Sequence, residues 1–159
     1  MRRYQVLTPL CFGLGMLALV DWAPRPVAAA SWTSAPPLPP GMARVWVLRQ
    51  PNPPGGNVAA ADPTVYVNGA ALAQVPQGTV FFHDFQPGTY RFTVQAYGTP
   101  DNRVDTLQLA SGTQSYVQIQ AVPNWQVSST GAGASFNVLT MAPQVAQPYF
   151  QTMTYLGRR

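Results

Sequence analysis

Few side chains in this chain could take part in catalysis. The single histidine, His83, precedes Asp84, and with a distant serine as nucleophile these two residues could supply the base and the orienting carboxylate of a hydrolase. No serine lies in the G-x-S-x-G pattern of a nucleophile elbow, and a lone histidine beside a carboxylate in a strand is more often structural than catalytic. We therefore expect no enzymatic activity.

Potential metal ligands are equally sparse. The chain has one histidine, one cysteine and five acidic residues, all of them aspartate. Metal centres need such ligands in clusters, and the order of the residues shows none. No two acidic residues occupy paired positions on adjacent predicted strands, as the carboxyl groups of a glycoside hydrolase would. The sequence predicts neither a metal nor a cofactor.

The outward faces of two predicted strands form a candidate binding surface. Arg91 and Tyr97 lie on one strand, and Tyr116 and Gln118 lie on the other. Tyrosine rings are apolar with a polar tip, and amides both donate and accept hydrogen bonds, which suits a neutral ligand such as a glycan. The competing interpretation is that a protein with few charges simply solvates its sheets in this way. These four residues are the candidate binding residues.

The elements that must position these residues are strands. Charged residues make up only 9% of the chain, and lysine and glutamate are absent, so long helices with charged outer faces are disfavoured. The 17 prolines and 13 glycines separate segments rich in valine, threonine, tyrosine and phenylalanine. This composition is typical of short strands joined by turns. The sequence therefore predicts an all-β domain.

The stretch 79–97 is the centre of that prediction. An apolar run from Val80 to Phe85 is followed by Gln86-Pro87-Gly88-Thr89, which has the chemistry of a tight turn, and then by a strand of alternating apolar and polar residues. We interpret the stretch as a hairpin in the middle of the core. Gly88 is expected to have a positive φ.

Further strands are predicted between the other turn signals. Asn68-Gly69 marks a second hairpin, and 143–150 has the pattern of a short helical turn. Strand 43–50 is apolar nearly throughout, and periodicity does not decide whether one or both of its faces are buried. The spacing favours a single antiparallel β-sandwich of the prealbumin or immunoglobulin type. The remaining strands are predicted at 64–67, 71–75, 104–109, 115–122, 136–141 and 152–156.

The N-terminal segment has the features of an export signal. Arg2 and Arg3 precede an apolar run over 6–20, and small residues end at Ala30. The run of about 15 residues is shorter than the roughly 20 that a spanning helix needs, so cleavage is favoured over a retained anchor. We assign 1–30 to a signal peptide, 31–41 to a proline-rich tether and 42–157 to the sandwich domain. The tether is interpreted as a semi-rigid spacer, with a docking motif for an aromatic groove as the alternative.

Several short motifs follow one another between residues 43 and 122. They are Arg44 and Arg49 of the first strand, the hairpin at 65–69, the turn at Pro87-Gly88, and Leu109, Gly112, Tyr116 and Val117. Their order resembles an uncharacterised family of bacterial envelope domains (domain of unknown function 2846), many of which are lipoproteins. The resemblance implies a prealbumin-like sandwich in the cell envelope, and no activity. Cys11 lacks the preceding small residue of a lipidation site.

These inferences converge on an exported domain, periplasmic or secreted, that is not an enzyme. We expect a structural or protein-interaction module of the bacterial cell envelope, or alternatively a glycan- or peptidoglycan-binding module. Its expected partner is an envelope protein or a cell-wall glycan. Nucleic acid is not expected, because the arginines outside the leader form no basic stripe. Membrane contact is expected only if the leader is retained.

The first testable prediction concerns the N-terminus of the exported protein. Ala28 and Ala30 fit the small residues that a signal peptidase requires, so the exported protein should begin at Ser31. Intact-mass measurement of protein recovered from outside the cytoplasm checks this expectation. A mass that still includes residues 1–30, or a lipid on Cys11, would contradict it.

Overall fold

Strands dominate the part of the chain that the computed structural model describes, which is residues 32–51, 62–95, 104–123 and 134–159. The strands in these ranges are β1 (Ala43–Arg49), β2 (Thr64–Val67), β3 (Ala70–Gln74), β4 (Thr79–Phe85), β5 (Gly88–Val94), β6 (Asp105–Leu109), β7 (Gln114–Pro123), β8 (Ala134–Met141) and β9 (Thr154–Arg158). A short turn of 3-10 helix spans Trp32–Ser34, and helix α1 spans Pro143–Phe150. The prediction of a mostly β chain with one short C-terminal helical segment is confirmed.

The nine strands form two sheets. One has five strands in the order β8-β7-β1-β4-β9, and the other has four in the order β3-β2-β5-β6. All pairs in the four-stranded sheet are antiparallel. In the five-stranded sheet the β1–β7 and β4–β9 pairs are parallel. The expectation of a purely antiparallel arrangement was therefore wrong at these two pairs.

The two sheets share one hydrophobic core, which makes the fold sandwich-like. The core takes side chains from both sheets, among them Val45 of β1, Phe81 of β4 and Phe92 of β5, all fully buried. A second cluster lies on the other side of the five-stranded sheet, where Ala146 and Phe150 of α1 pack against it. The five-stranded sheet is thus covered on both faces.

Strand β1 is central because both of its faces are buried. Val45 and Val47 point into the core between the sheets, whereas Trp46 and Leu48 point into the cluster beneath α1. This alternation follows from the period of two residues in a strand. It explains why the strand is apolar nearly throughout, and it decides between the two alternatives that periodicity left open.

The hairpin predicted at Asn68-Gly69 is confirmed. Strands β2 and β3 pair antiparallel on either side of it. Asn68 has a φ of 50° and Gly69 a φ of 86°, the left-handed conformations that a two-residue hairpin turn requires.

The predicted hairpin at 79–97 was wrong. Strand β4 lies between β1 and β9, whereas β5 lies between β2 and β6, so Gln86 and Pro87 lead the chain from one sheet to the other. The reason lies in the two strands themselves. Strand β4 is apolar on both faces and needs cover on both, while β5 alternates and needs cover on one. Gly88 has a φ of 158°, which is positive but far from the left-handed value of a tight turn.

The C-terminal elements close the fold. Helix α1 begins at Pro143, where a proline costs no hydrogen bond, and it buries Ala146 and Phe150. The predicted edge strand at 152–156 is present as β9, shifted by two residues.

A side-chain contact joins the edges of the two sheets. Asp105 of β6 accepts hydrogen bonds from the backbone N–H of Thr140 on β8 (3.0 Å) and from its hydroxyl.

Two predictions fall outside the described ranges: the signal peptide at 1–30 and the candidate binding residue Tyr97. The prolines and glycines of 51–62 also predict a long loop, and nearly all of it lies outside these ranges. No helix within the described ranges is long and apolar enough to cross a membrane.

Candidate functional site

The structure does not bring the three described candidate binding residues, Arg91, Tyr116 and Gln118, onto one surface. Arg91 lies on β5 in the four-stranded sheet, whereas Tyr116 and Gln118 lie on β7 in the five-stranded sheet. Arg91 is exposed and Gln118 is half-buried, and Tyr97 lies outside the described residues. The combined face proposed from the sequence is therefore not formed by these residues.

Tyr116 was expected to face solvent, and this expectation was wrong. Its side chain is buried among Trp46, Phe150 and Ala146. The reason is that α1 covers this face of the sheet, which a reading of β7 alone could not show. The signal was present in the spacing of Ala146 and Phe150, because residues four apart lie on one face of a helix.

His83 and Asp84 do not form a catalytic pair. Neighbouring residues on a strand point to opposite faces, and each side chain has another partner. Nδ1 of His83 contacts the backbone oxygen of Arg159, and the Asp84 carboxylate binds Arg44. The described residues also contain no group of three or more histidine, cysteine, aspartate or glutamate side chains that could hold a metal ion.

Arg44 and Asp84 form a buried ion pair between β1 and β4. The two residues are direct partners in the register of these strands. Nε and Nη2 of Arg44 donate to the two carboxylate oxygens of Asp84 at 2.7 and 3.1 Å, and both side chains are almost fully buried. The guanidinium also lies 3.9 Å from the centre of the Phe82 ring. The charge of Arg44 is therefore matched inside the protein.

The third guanidinium nitrogen of Arg44 reaches the N-terminal segment. Nη1 donates to the backbone oxygen of Pro36 at 2.7 Å. Nearby, burial raises the pKa of the Tyr155 phenol above its ordinary value, while the charge of Arg44 lowers it and that of Asp84 raises it. The pair thus lies at the point where β1, β4, β9 and the N-terminal segment meet.

The segment predicted as a spacer contacts the domain at two points. Trp32 packs edge-on against Phe150, with ring centres 5.6 Å apart, and Pro36 accepts the hydrogen bond from Arg44. Trp32 and Ala35 are half-buried against the cluster under α1. Residues 32–38 therefore form part of the outer layer of the domain.

A cleft of about 300 Å³ opens between residues 32–38, the five-stranded sheet and α1. We call it the N-terminal cleft. From the N-terminal segment, Trp32, Thr33 and residues 35–38 line it. Its other lining residues are Arg44, Trp46, Gln114, Tyr116, Gln147 and Phe150.

Two hydrogen bonds fix the polar groups of the N-terminal cleft. The indole Nε1 of Trp46 donates to Oε1 of Gln114 at 2.7 Å, and Nε2 of Gln147 donates to the hydroxyl of Tyr116 at 3.1 Å. Each glutamine is exposed and keeps one amide group unused by these bonds: the nitrogen of Gln114 and the oxygen of Gln147. The two glutamines therefore present an amide nitrogen that can donate and an amide oxygen that can accept, above aromatic side chains.

Arg49 is a second buried arginine, and its side chain lies within the sandwich. Nη1 donates to the backbone oxygen of Val75 at 3.0 Å, and the guanidinium lies 5.0 Å from the centre of the Phe136 ring. The half-exposed carboxylate of Asp62 is 3.6 Å away. Sequence reasoning noted Arg49 only as part of a family motif. Its structural role follows from its position on the same face of β1 as Val45 and Val47.

The outer face of the four-stranded sheet is a second exposed surface. Its inward residues, such as Phe92 and Leu107, fill the core, so the alternate residues point outward. No described element covers them. We call this surface the open face, and it consists of Tyr66, Thr89, Arg91, Thr93, Thr106 and Gln108.

No protein-family model matches the chain, and the comparison with curated proteins finds no relative. The similarity to bacterial envelope domains therefore stays a prediction.

The buried ion pair makes a prediction about stability. Asp84→Leu leaves the Arg44 charge buried and unpaired, so it should lower the free energy of unfolding by about 3–5 kcal/mol. The double variant Arg44→Met/Asp84→Leu removes both charges. Its free energy of unfolding should fall clearly less than that of Asp84→Leu. Urea unfolding of both variants and the wild type measures the difference. If the double variant is as unstable as Asp84→Leu, the account of the pair is wrong.

Proposed function

We propose that this chain is an exported, non-enzymatic β-sandwich module that binds a protein of the bacterial cell envelope through the open face. The observation that carries the proposal is the asymmetry of the two sheets. The five-stranded sheet has its outer face covered by α1 and residues 32–38, whereas no described element covers the outer face of the four-stranded sheet.

The chemistry of the open face supports binding of a folded partner. Its threonine and glutamine side chains both donate and accept hydrogen bonds, and Arg91 is the one charged residue among its six. A surface with few charges loses little hydration energy when it is covered, and arginine and tyrosine are enriched in interfaces. Arg91 and Tyr66 lie on neighbouring strands of this sheet, with Thr93 opposite Tyr66.

Two features of the chain support the location and the fold type. The N-terminal segment carries the charged, apolar and small-residue regions of a signal peptide, and the order of strand and turn motifs resembles prealbumin-like envelope domains. A domain without cysteine after residue 30 is also compatible with an oxidising compartment, because no thiol there can pair incorrectly.

A cell-wall glycan is the second candidate for the open face. The observation in its favour is Tyr66, a half-buried ring among hydroxyl and amide groups. Such a ring offers a sugar both an apolar surface and a hydrogen-bonding tip.

A photo-crosslinking amino acid at Thr106 tests the protein partner. In cells that express the chain natively, we expect a discrete crosslinked protein from position 106 and none from position 144. Gln144 is the matched control, because it is also exposed but lies on α1. Arg91→Glu should reduce the yield from position 106 several-fold. No crosslinked protein at position 106, or the same one from both positions, would contradict the proposal.

Co-sedimentation with peptidoglycan sacculi distinguishes the second candidate. If the open face binds glycan, the sacculi retain the wild type and retain Arg91→Glu more weakly. Equal retention of both proteins, or no retention of either, excludes the open face as a glycan site.

A further inference from the structure

We propose that the N-terminal cleft binds a neutral sugar that carries an acetamido group. The inference depends on the cleft alone and not on the open face, so either proposal can fail without the other. It starts from the two glutamines, whose hydrogen bonds leave the amide nitrogen of Gln114 and the amide oxygen of Gln147 available at the cleft.

The orientation of both amides is set by their partners. Oε1 of Gln114 accepts from the indole of Trp46, so its Nε2 is left to donate. Nε2 of Gln147 donates to Tyr116, so its Oε1 is left to accept. An acetamido group has one carbonyl acceptor and one N–H donor. The two sets of groups are complementary.

The charge of the cleft disfavours an anionic ligand. Arg44 is the charged residue among the cleft residues, and its charge is already matched by the buried carboxylate of Asp84. A carboxylate or phosphate would bring a second negative charge close to Asp84, with one buried cation to balance both. A neutral ligand meets no such cost.

The aromatic side chains of the cleft suit the apolar parts of the proposed ligand. Trp32 is half-buried, and its ring packs against the buried ring of Phe150. An aromatic wall of this kind suits the acetamido methyl and the C–H groups of a sugar ring. Solutes made of hydroxyl groups alone lack the apolar methyl group, so the cleft should prefer the acetamido sugar.

The size of the cleft favours a sugar over an extended peptide as its ligand. At about 300 Å³ it is at the lower end of the range for small-molecule sites. Residues 32, 33 and 35–38 line one part of it, and Gln147 and Phe150 of α1 line another. It therefore suits one or two sugar units better than an extended peptide, which would need a groove along several residues.

Titration by ¹H–¹⁵N NMR tests the proposal, because the indole N–H of Trp46 is a reporter inside the cleft. The probe is N,N′-diacetylchitobiose, and cellobiose is the matched control without acetamido groups. We expect saturable shifts of the Trp46 indole signal with the first disaccharide, and binding of cellobiose at least ten-fold weaker. The capped dipeptide analogue N-acetyl-alanine methylamide tests a peptide ligand.

Two substitutions that each keep the existing hydrogen bond test the role of the glutamines. Gln114→Glu keeps an acceptor for Trp46 but removes the free donor, and Gln147→Lys keeps a donor for Tyr116 but removes the free acceptor. Each should weaken binding of the disaccharide roughly five-fold, the net effect of one hydrogen bond. Gln108→Glu and Gln108→Lys make the same charge changes on the open face and should leave binding unchanged. The spectra of all four variants report whether each is folded.

Three results would overturn the proposal: no shift of the Trp46 indole with the disaccharide, equal binding of cellobiose, or equal binding of the capped dipeptide analogue. Unchanged affinity in both cleft variants would overturn it as well.

Discussion

The buried ion pair between Arg44 and Asp84 is the interaction on which the outer layer of this protein depends. Both groups lie in the layer under α1 and are almost inaccessible to water, so each would be strongly unfavourable alone. Strand register places them directly opposite each other on β1 and β4. The third donor of Arg44 then reaches Pro36 and holds the N-terminal segment on the sheet. Through this one guanidinium, the central strands, the segment 32–38 and the N-terminal cleft are linked.

The sequence predicted elements well where the signal was local. The Asn68-Gly69 hairpin and the helix at Pro143–Phe150 were found because turn glycines, an initial proline and short-range apolar spacing are enough to specify them. The sequence did not predict correctly which strands belong to the same sheet. Strands β4 and β5 are adjacent in sequence but belong to different sheets, and their pairing depends on contacts with distant strands. The same limitation misplaced Tyr116, since its burial depends on a helix that begins 27 residues later.

The two outer sides of the protein differ in where their charged side chains lie. On the helix-covered side, the charges of Arg44 and Asp84 are buried and matched, which leaves a neutral cleft of aromatic and amide groups. On the other side, hydroxyl and amide groups solvate a sheet that has Arg91 as the single charge of the open face. Both surfaces are therefore suited to neutral or weakly charged partners. Because 9% of the residues of this chain are charged, we expect a partner to be recognised mainly through shape and hydrogen bonding.

The most direct test of the central claim is whether the ion pair holds the N-terminal segment in place. Nuclear Overhauser contacts between Trp32 and Phe150 report this, since their ring centres are 5.6 Å apart. The account predicts these contacts in the wild type and their loss in Arg44→Met/Asp84→Leu, while contacts between Phe85 and Phe92 in the core persist in both. Absence of the Trp32–Phe150 contacts in the wild type, or their full retention in the double variant, would contradict it.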